Sequence, residues 1–193
     1  MSSKNIETYY PTSRADWRRW LVKNHETEQS VWLVFYNKKS EKESISWSDA
    51  VDEALCFGWI DSKKQTIDEF SYRQYYSKRK SNSTWSKINK AKVEQLVKNG
   101  LMTKSGLNSI EVAKQNGSWA ILDKVENLTV PKDLKEALAS YKNAFEYFDS
   151  QSKSNKKMLL YWVTSAKRPE TRQKRIEEIS ELASVGKKPK QFR

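Results

Sequence analysis

Cysteine and histidine are almost missing from this chain, with one of each, Cys56 and His25, in 193 residues. A single cysteine excludes an intramolecular disulfide and fits a reducing compartment. One histidine and one cysteine fall short of the roughly four N or S ligands of a structural zinc site, so no dedicated metal centre is expected. Glycine is scarce too. The five glycines (58, 100, 106, 117 and 186) take neither a phosphate-loop nor a dinucleotide spacing, which argues against both nucleotide folds, and no cofactor is expected. No apolar run approaches the ~18 residues of a membrane span. The opening Met1-Ser-Ser-Lys-Asn-Ile-Glu7 lacks the apolar core of a signal peptide, so a cytoplasmic location is expected.

Positive charge and large aromatics are plentiful. Eight Trp, nine Tyr and six Phe supply apolar area for folded cores although 31% of the residues are charged. A net charge of +12 attracts polyanions: nucleic acid, anionic lipid headgroups or an acidic protein. On charge alone, a Lys-rich surface that serves solubility is the better reading. The excess is uneven, with 21 Lys and Arg against 16 Asp and Glu through residue 130, and 15 against 8 over the last 63.

The chain is organised around Ser46 to Trp85. Ser46 and Asp49 form a capping pair for a helix carrying Trp47, Val51, Ala54 and Leu55, which Gly58 ends with positive φ. An extended segment then turns into Phe70-Ser-Tyr-Arg-Gln-Tyr-Tyr76, a hairpin strand with Phe70, Tyr72 and Tyr76 on one face and Arg73, Tyr75 and Arg79 on the other. Before it, Thr12 and Ser13 cap a helix through Trp17, Trp20 and Leu21. The unbroken apolar run Val31 to Tyr36 reads as a central strand covered on both faces. After it come a helix from Trp85 to Asn99 with Ile88, Val93, Leu96 and Val97, and one capped by Thr103 that ends at Asn116-Gly117. From Leu128 strand signals stop. Four helices follow, opened at Pro131 and closing before Gly186, and the basic end Gly186 to Arg193 reads as frayed. The fold class is α+β: a small sheet with a β-hairpin packed by helices, followed by a helical bundle. The expected division is 1–127, 130–186 and a tail, 187–193.

Two catalytic ideas arise. Cys56 could be a nucleophile with His25 as base, but it lies at a helix C-terminus with Asp52 and Glu53 one turn back, a field that disfavours the thiolate; a buried apolar filler is the better reading. His25 itself reads as a helix-terminal residue. Asp61 could be a general base, or a carboxylate paired with Lys63 or Arg73 across the hairpin.

Binding has more support. Arg73, Tyr75, Arg79, Trp85 and Lys87 interleave cations with aromatics, which suits an anionic ligand or stacked bases, or else marks a protected strand edge. Trp59, Asp61 and Asn89 complete that candidate surface. Arg168, Arg172 and Arg175 start a helix with cations against its dipole, which implies an anion or carboxylates of the first domain as partner.

Several strings carry a family likeness: Asn24-His25, Val31 to Tyr36, Glu53-Ala-Leu-Cys-Phe-Gly-Trp-Ile-Asp61-Ser, Asn82 with Trp85-Ser-Lys-Ile-Asn89, Gly100-Leu-Met-Thr103 and Ala166-Lys-Arg-Pro-Glu-Thr-Arg172. Together they resemble the YdeI/OmpD-associated, or bacteriocin-protection, family over nearly the whole chain. Two departures are Lys104, where that family often has Pro, and Ser83-Thr84, which lengthens the junction before Trp85. The resemblance implies a role in tolerance of bacteriocins and cationic antimicrobial peptides, and it assigns no catalytic residue. A protein of +12 repels cationic peptides at long range, so an indirect, non-enzymatic binding role is expected, with nucleic-acid binding and a small enzyme using Asp61 as alternatives.

Overall fold

The run Val31 to Tyr36 lies inside strand β2 (Ser30–Tyr36) of a computed structural model that describes residues 6–192. Two other strands follow the organising helix α2 (Trp47–Cys56): β3 (Trp59–Thr66) and β4 (Ser71–Lys78), an antiparallel hairpin with an irregularity between Asp61 and Lys64. A two-residue strand, β1 (Thr8–Tyr9), adds in parallel to β2, giving the order β1-β2-β4-β3 among the described residues. So short a strand has no periodicity to read.

Helix α1 (Arg14–Asn24) buries Trp17, Trp20 and Leu21, and with α2 it covers one face of the sheet. Val31, Leu33 and Phe35 enter that core; Trp32, Val34 and Tyr36 alternate away from it and are only half-buried. The strand is therefore covered on one face and not on both, as its continuous apolar run suggested. Its outer residues are shielded by their neighbours: Tyr75 meets Trp32 edge to face at 5.1 Å, and the Arg73 guanidinium lies 4.6 Å from the Trp32 ring. Gln74 and Tyr76 face the core from β4, whereas Phe70 stands exposed in the turn before it. Trp17, Trp59 and Trp85 are fully buried; at ~25 cal/mol per Å2 and ~200 Å2 each, such a ring contributes up to about 5 kcal/mol of gross burial energy.

Beneath this core lies an ion network. Glu53, 2% exposed, accepts from Arg14 Nε (2.5 Å) and Arg18 Nη1 (2.7 Å), and Lys92 reaches Asp52 at 2.5 Å. Helices α3 (Lys87–Lys98) and α4 (Lys104–Gln115) complete the unit Met1–Trp119, capped by Ser86 and Thr103. Ile88 and Val97, expected in the core, are exposed.

The unit Ala120–Arg193 is helical. It starts with α5 (Ile121–Glu126), ahead of the change in texture at Leu128, and continues through α6 (Lys132–Ser140), α7 (Ala144–Ser150), α8 (Lys153–Thr164) and α9 (Pro169–Ser184). Leu134, Leu138, Phe148, Leu160, Val163 and Ile176 fill its core. Through Phe192 the end is not frayed as expected, and Arg193 lies outside the described residues. Pro189 is buried, and Lys190–Phe192 forms a 3-10 turn whose Phe192 ring meets Trp162 at 5.4 Å. Among the described residues, no helix is long and apolar enough to cross a membrane.

Candidate functional site

The turn from α2 into β3 sets up a cleft. Gly58 takes φ +73°, and the Cys56 carbonyl before it accepts from both the N–H (3.0 Å) and the Oγ1 (2.7 Å) of Thr103, the cap of α4. Gly106 makes this docking possible: a Cβ there would sit 2.7 Å from the Cys56 carbonyl carbon and 2.8 Å from Met102 Cε, so a larger residue would push α4 away. The first turns of α4 are thereby fixed opposite the end of α1 and the end of β4. Between them opens a cleft of about 380 Å3, walled by His25, Gly58, Lys78, Arg79, Ser105 and Ser109, with Trp59 at its inner side.

His25 caps the C-terminus of α1, the place the sequence indicates, but its ring does more than end a helix. Nδ1 lies 2.9 Å from the Leu21 carbonyl, which can only accept, so Nδ1 carries the hydrogen. In the neutral ring Nε2 is then an acceptor, and Ser105 Oγ stands 3.2 Å from it. The ring packs edge-on against Phe57 at 5.0 Å, and the buried Trp59 indole donates to the His25 carbonyl at 3.4 Å. Lys78 Nζ reaches the Glu26 carbonyl at 2.7 Å.

Arg79 lines the cleft beside Glu26, Lys78 and Lys80. Its guanidinium stacks on Trp85, 3.6 Å from the ring centre, and Nη2 donates to the Thr84 carbonyl at 2.6 Å. Nε and Nη1 are buried and have no acceptor among the described residues. Burial lowers the Arg79 pKa to about 10, against the opposing field of Asp61. A desolvated cation with two unused donors is what a carboxylate or phosphate satisfies.

The other sequence candidates go elsewhere. Asp61 pairs with neither Lys63 nor Arg73: its Oδ2 accepts from Trp47 Nε1 and Gln74 Nε2, both at 3.0 Å, in a separate shallow cleft with Lys64 and Tyr72. Arg73, bonded to Gln65 at 2.9 Å, and Tyr75 lie on the outer sheet face. Trp59 and Trp85 are core residues that support the cleft from below. Lys87 is exposed at the start of α3, and the Asn89 N–H is held by the Ser86 cap at 3.2 Å. The single surface expected from these residues is therefore split.

In the second unit Arg172 and Arg175 of α9 find hydrogen-bond partners within the unit. Arg172 donates to Asp133 (2.7 and 3.0 Å) and to the Val163 carbonyl (3.1 Å), and Arg175 donates to the Trp162 carbonyl (2.6 Å). They neutralise the carbonyl end of α8, and Arg172 has a carboxylate partner, Asp133, within the same unit. Arg168 is exposed. The Cys56 thiol is fully buried and pushed up to about 11, by burial first and by Glu53 second, although Arg18 opposes both; His25 bonds Ser105 instead of it. No cluster of metal-ligating side chains occurs among the described residues.

Sequence reasoning missed Ser105. Its one available signal was Gly106, a glycine inside the first turn of a helix, which marks close approach of another backbone.

A family model described as a domain of unknown function (DUF8412) matches residues 9–109, just over half of the chain and including every wall of the cleft named above. The chain belongs to that family. A second model, Bacteriocin-protection, YdeI or OmpD-Associated, matches residues 127–186, so that likeness is confined to the helical unit and does not span the chain as the quoted strings suggested. The strings from Asn24 to Thr103 fall under the DUF8412 domain instead. No curated protein matches the chain, and no solved structure does.

Proposed function

We propose that the DUF8412 domain binds a small anionic ligand, carrying a carboxylate or phosphate, in the cleft at Arg79. The observation that supports this is the Arg79 guanidinium, stacked on Trp85 with two buried donors and no acceptor among the described residues. An unsatisfied buried cation is costly in the free protein, and a bound oxyanion relieves that cost. Lys78 and Lys80 beside it add to the attraction. The match of the helical unit to the bacteriocin-protection model supports a role in tolerance of antimicrobial peptides. With a net charge of +12 the protein would act there indirectly, in the cytoplasm, by sensing or carrying its ligand and not by capturing cationic peptides.

A second reading rests on the outer sheet face, where Trp32, Tyr75 and Arg73 stand together half-buried and suit stacking of single-stranded nucleic acid. Calorimetric titration separates the two. Inorganic phosphate or citrate should bind with 1:1 stoichiometry and lose its heat in Arg79→Met. Binding of an oligonucleotide that weakens steeply between about 50 and 200 mM salt, and that is lost in Arg73→Ala with Tyr75→Ala, would favour the second reading instead.

A further inference from the structure

The same cleft brings a serine hydroxyl and an imidazole together. Ser105 sits in the first turn of α4, half-exposed on the cleft wall, with its Oγ 3.2 Å from His25 Nε2. The imidazole is oriented by its own Nδ1–H on the Leu21 carbonyl; when the ring is neutral its Nε2 lone pair is open to the hydroxyl, with the Glu26 carboxylate 3.7 Å from the same nitrogen. This contact is not needed to hold α4 in place, since Thr103 already fastens the helix to the Cys56 carbonyl twice and Gly106 packs directly on that turn. Early in α4, the N–H groups of Lys104 and Ser105 precede the capped Gly106 N–H, where helix geometry leaves donors unpaired and the helix field is positive. A hydroxyl, an oriented imidazole and a positive helix end around one accessible cleft are the parts of an acyl-transfer centre.

We infer that Ser105 and His25 form a nucleophile and general-base pair that hydrolyses a carboxylic ester bearing an anionic group, with that group held at Arg79. The placement of the substrate's charge rests on the anion-binding reading given above; the pair itself does not. In the first step Ser105 Oγ forms a bond to the ester carbonyl carbon and its proton passes to His25 Nε2. The C–O bond to the alcohol then breaks, and the leaving oxygen takes that proton. In the second step water attacks the acyl-Ser105 carbonyl, gives a proton to His25 and displaces Ser105 Oγ, which is reprotonated from His25. The balance is one ester and one water consumed, one carboxylic acid and one alcohol released.

Two measurements on the full chain test this. The first is covalent labelling by a fluorophosphonate probe, located by peptide mass spectrometry. A single adduct on Ser105 is expected, absent in Ser105→Ala and formed roughly 100-fold more slowly in His25→Gln. The second compares hydrolysis of the p-nitrophenyl monoesters of succinic acid (anionic) and butyric acid (neutral), with the anionic ester preferred by the native protein and the preference lost in Arg79→Met. Absence of the Ser105 adduct and of ester turnover in folded native protein would overturn the pair; if phosphate still bound in calorimetry, the anion-binding reading would stand without it. A Ser105 adduct with no preference for the anionic ester would overturn the placement of the substrate's charge at Arg79, and no phosphate binding alongside it would remove the anion-binding reading as well.

Discussion

Replacing Arg79 by Met separates stability from binding in a way that few substitutions of a mostly buried residue do. In the free protein the guanidinium gains a charge-assisted hydrogen bond to the Thr84 carbonyl, about 2 kcal/mol, and a cation–π contact with Trp85, about 1 kcal/mol. Against this, Nε and Nη1 lie buried without acceptors, at about 1.5 kcal/mol each. The two sides nearly cancel. Met keeps apolar volume over the indole and removes both orphaned donors, so Arg79→Met should lie within about 1 kcal/mol of the native protein, or about 4 °C in melting temperature. Ligand response should differ sharply. Phosphate at about 100 times its Kd adds about 2.7 kcal/mol to the native protein, a rise of roughly 5–10 °C, and nothing to the variant. Thermal unfolding followed by Trp fluorescence, with and without phosphate, reads both quantities. A variant that melts 10 °C lower, or that keeps the full phosphate response, would refute the reasoning.

Three further outcomes follow from other contacts. Gly106→Ala should destabilise the first unit by about 2–4 kcal/mol, because its Cβ meets the Cys56 backbone; circular dichroism melts check this, and a change below 0.5 kcal/mol would contradict the close packing. In the second unit the hydrogen bond from Arg172 holds the Asp133 pKa below the usual carboxylate range. A depressed folded value contributes stability above the unfolded pKa of about 3.9 and loses it as pH falls through the folded value, so the stability gap between native protein and Arg172→Ala should shrink by about 1 kcal/mol between pH 7 and about pH 2 as this half-exposed pair is lost, leaving the part due to the Val163 carbonyl. Cys56, buried with its thiol pushed up to about 11, should resist iodoacetamide at pH 8 until the protein is unfolded by denaturant; rapid alkylation of the native chain would show the thiol to be open.

What the sequence discloses is mostly local chemistry. Ser13, Ser46 and Thr103 each cap the helix they precede because a short hydroxyl can reach an N–H three residues ahead, and Gly58 ends α2 with positive φ because no side chain opposes it. The α+β class and the run of helices after Pro131 follow from periodicity alone. What stays hidden depends on distant partners. Trp32 reads as buried because it is apolar, and only the approach of Arg73 and Tyr75 from β4 explains how it sits on an outer face. Arg172 and Arg175 look misplaced until the carbonyl end of α8 is seen beside them. His25 and Ser105 stand 80 residues apart, and nothing in the spacing of either announces the other.

The proposed function stands or falls on an anion entering the cleft at Arg79. Crystals grown with tungstate, a heavy oxyanion of phosphate shape, test it directly through anomalous density. One strong peak is expected in the cleft, within hydrogen-bonding distance of Arg79 Nε or Nη1 and removed in Arg79→Met. Peaks confined to exposed lysines, with the guanidinium unchanged on Trp85, would contradict it.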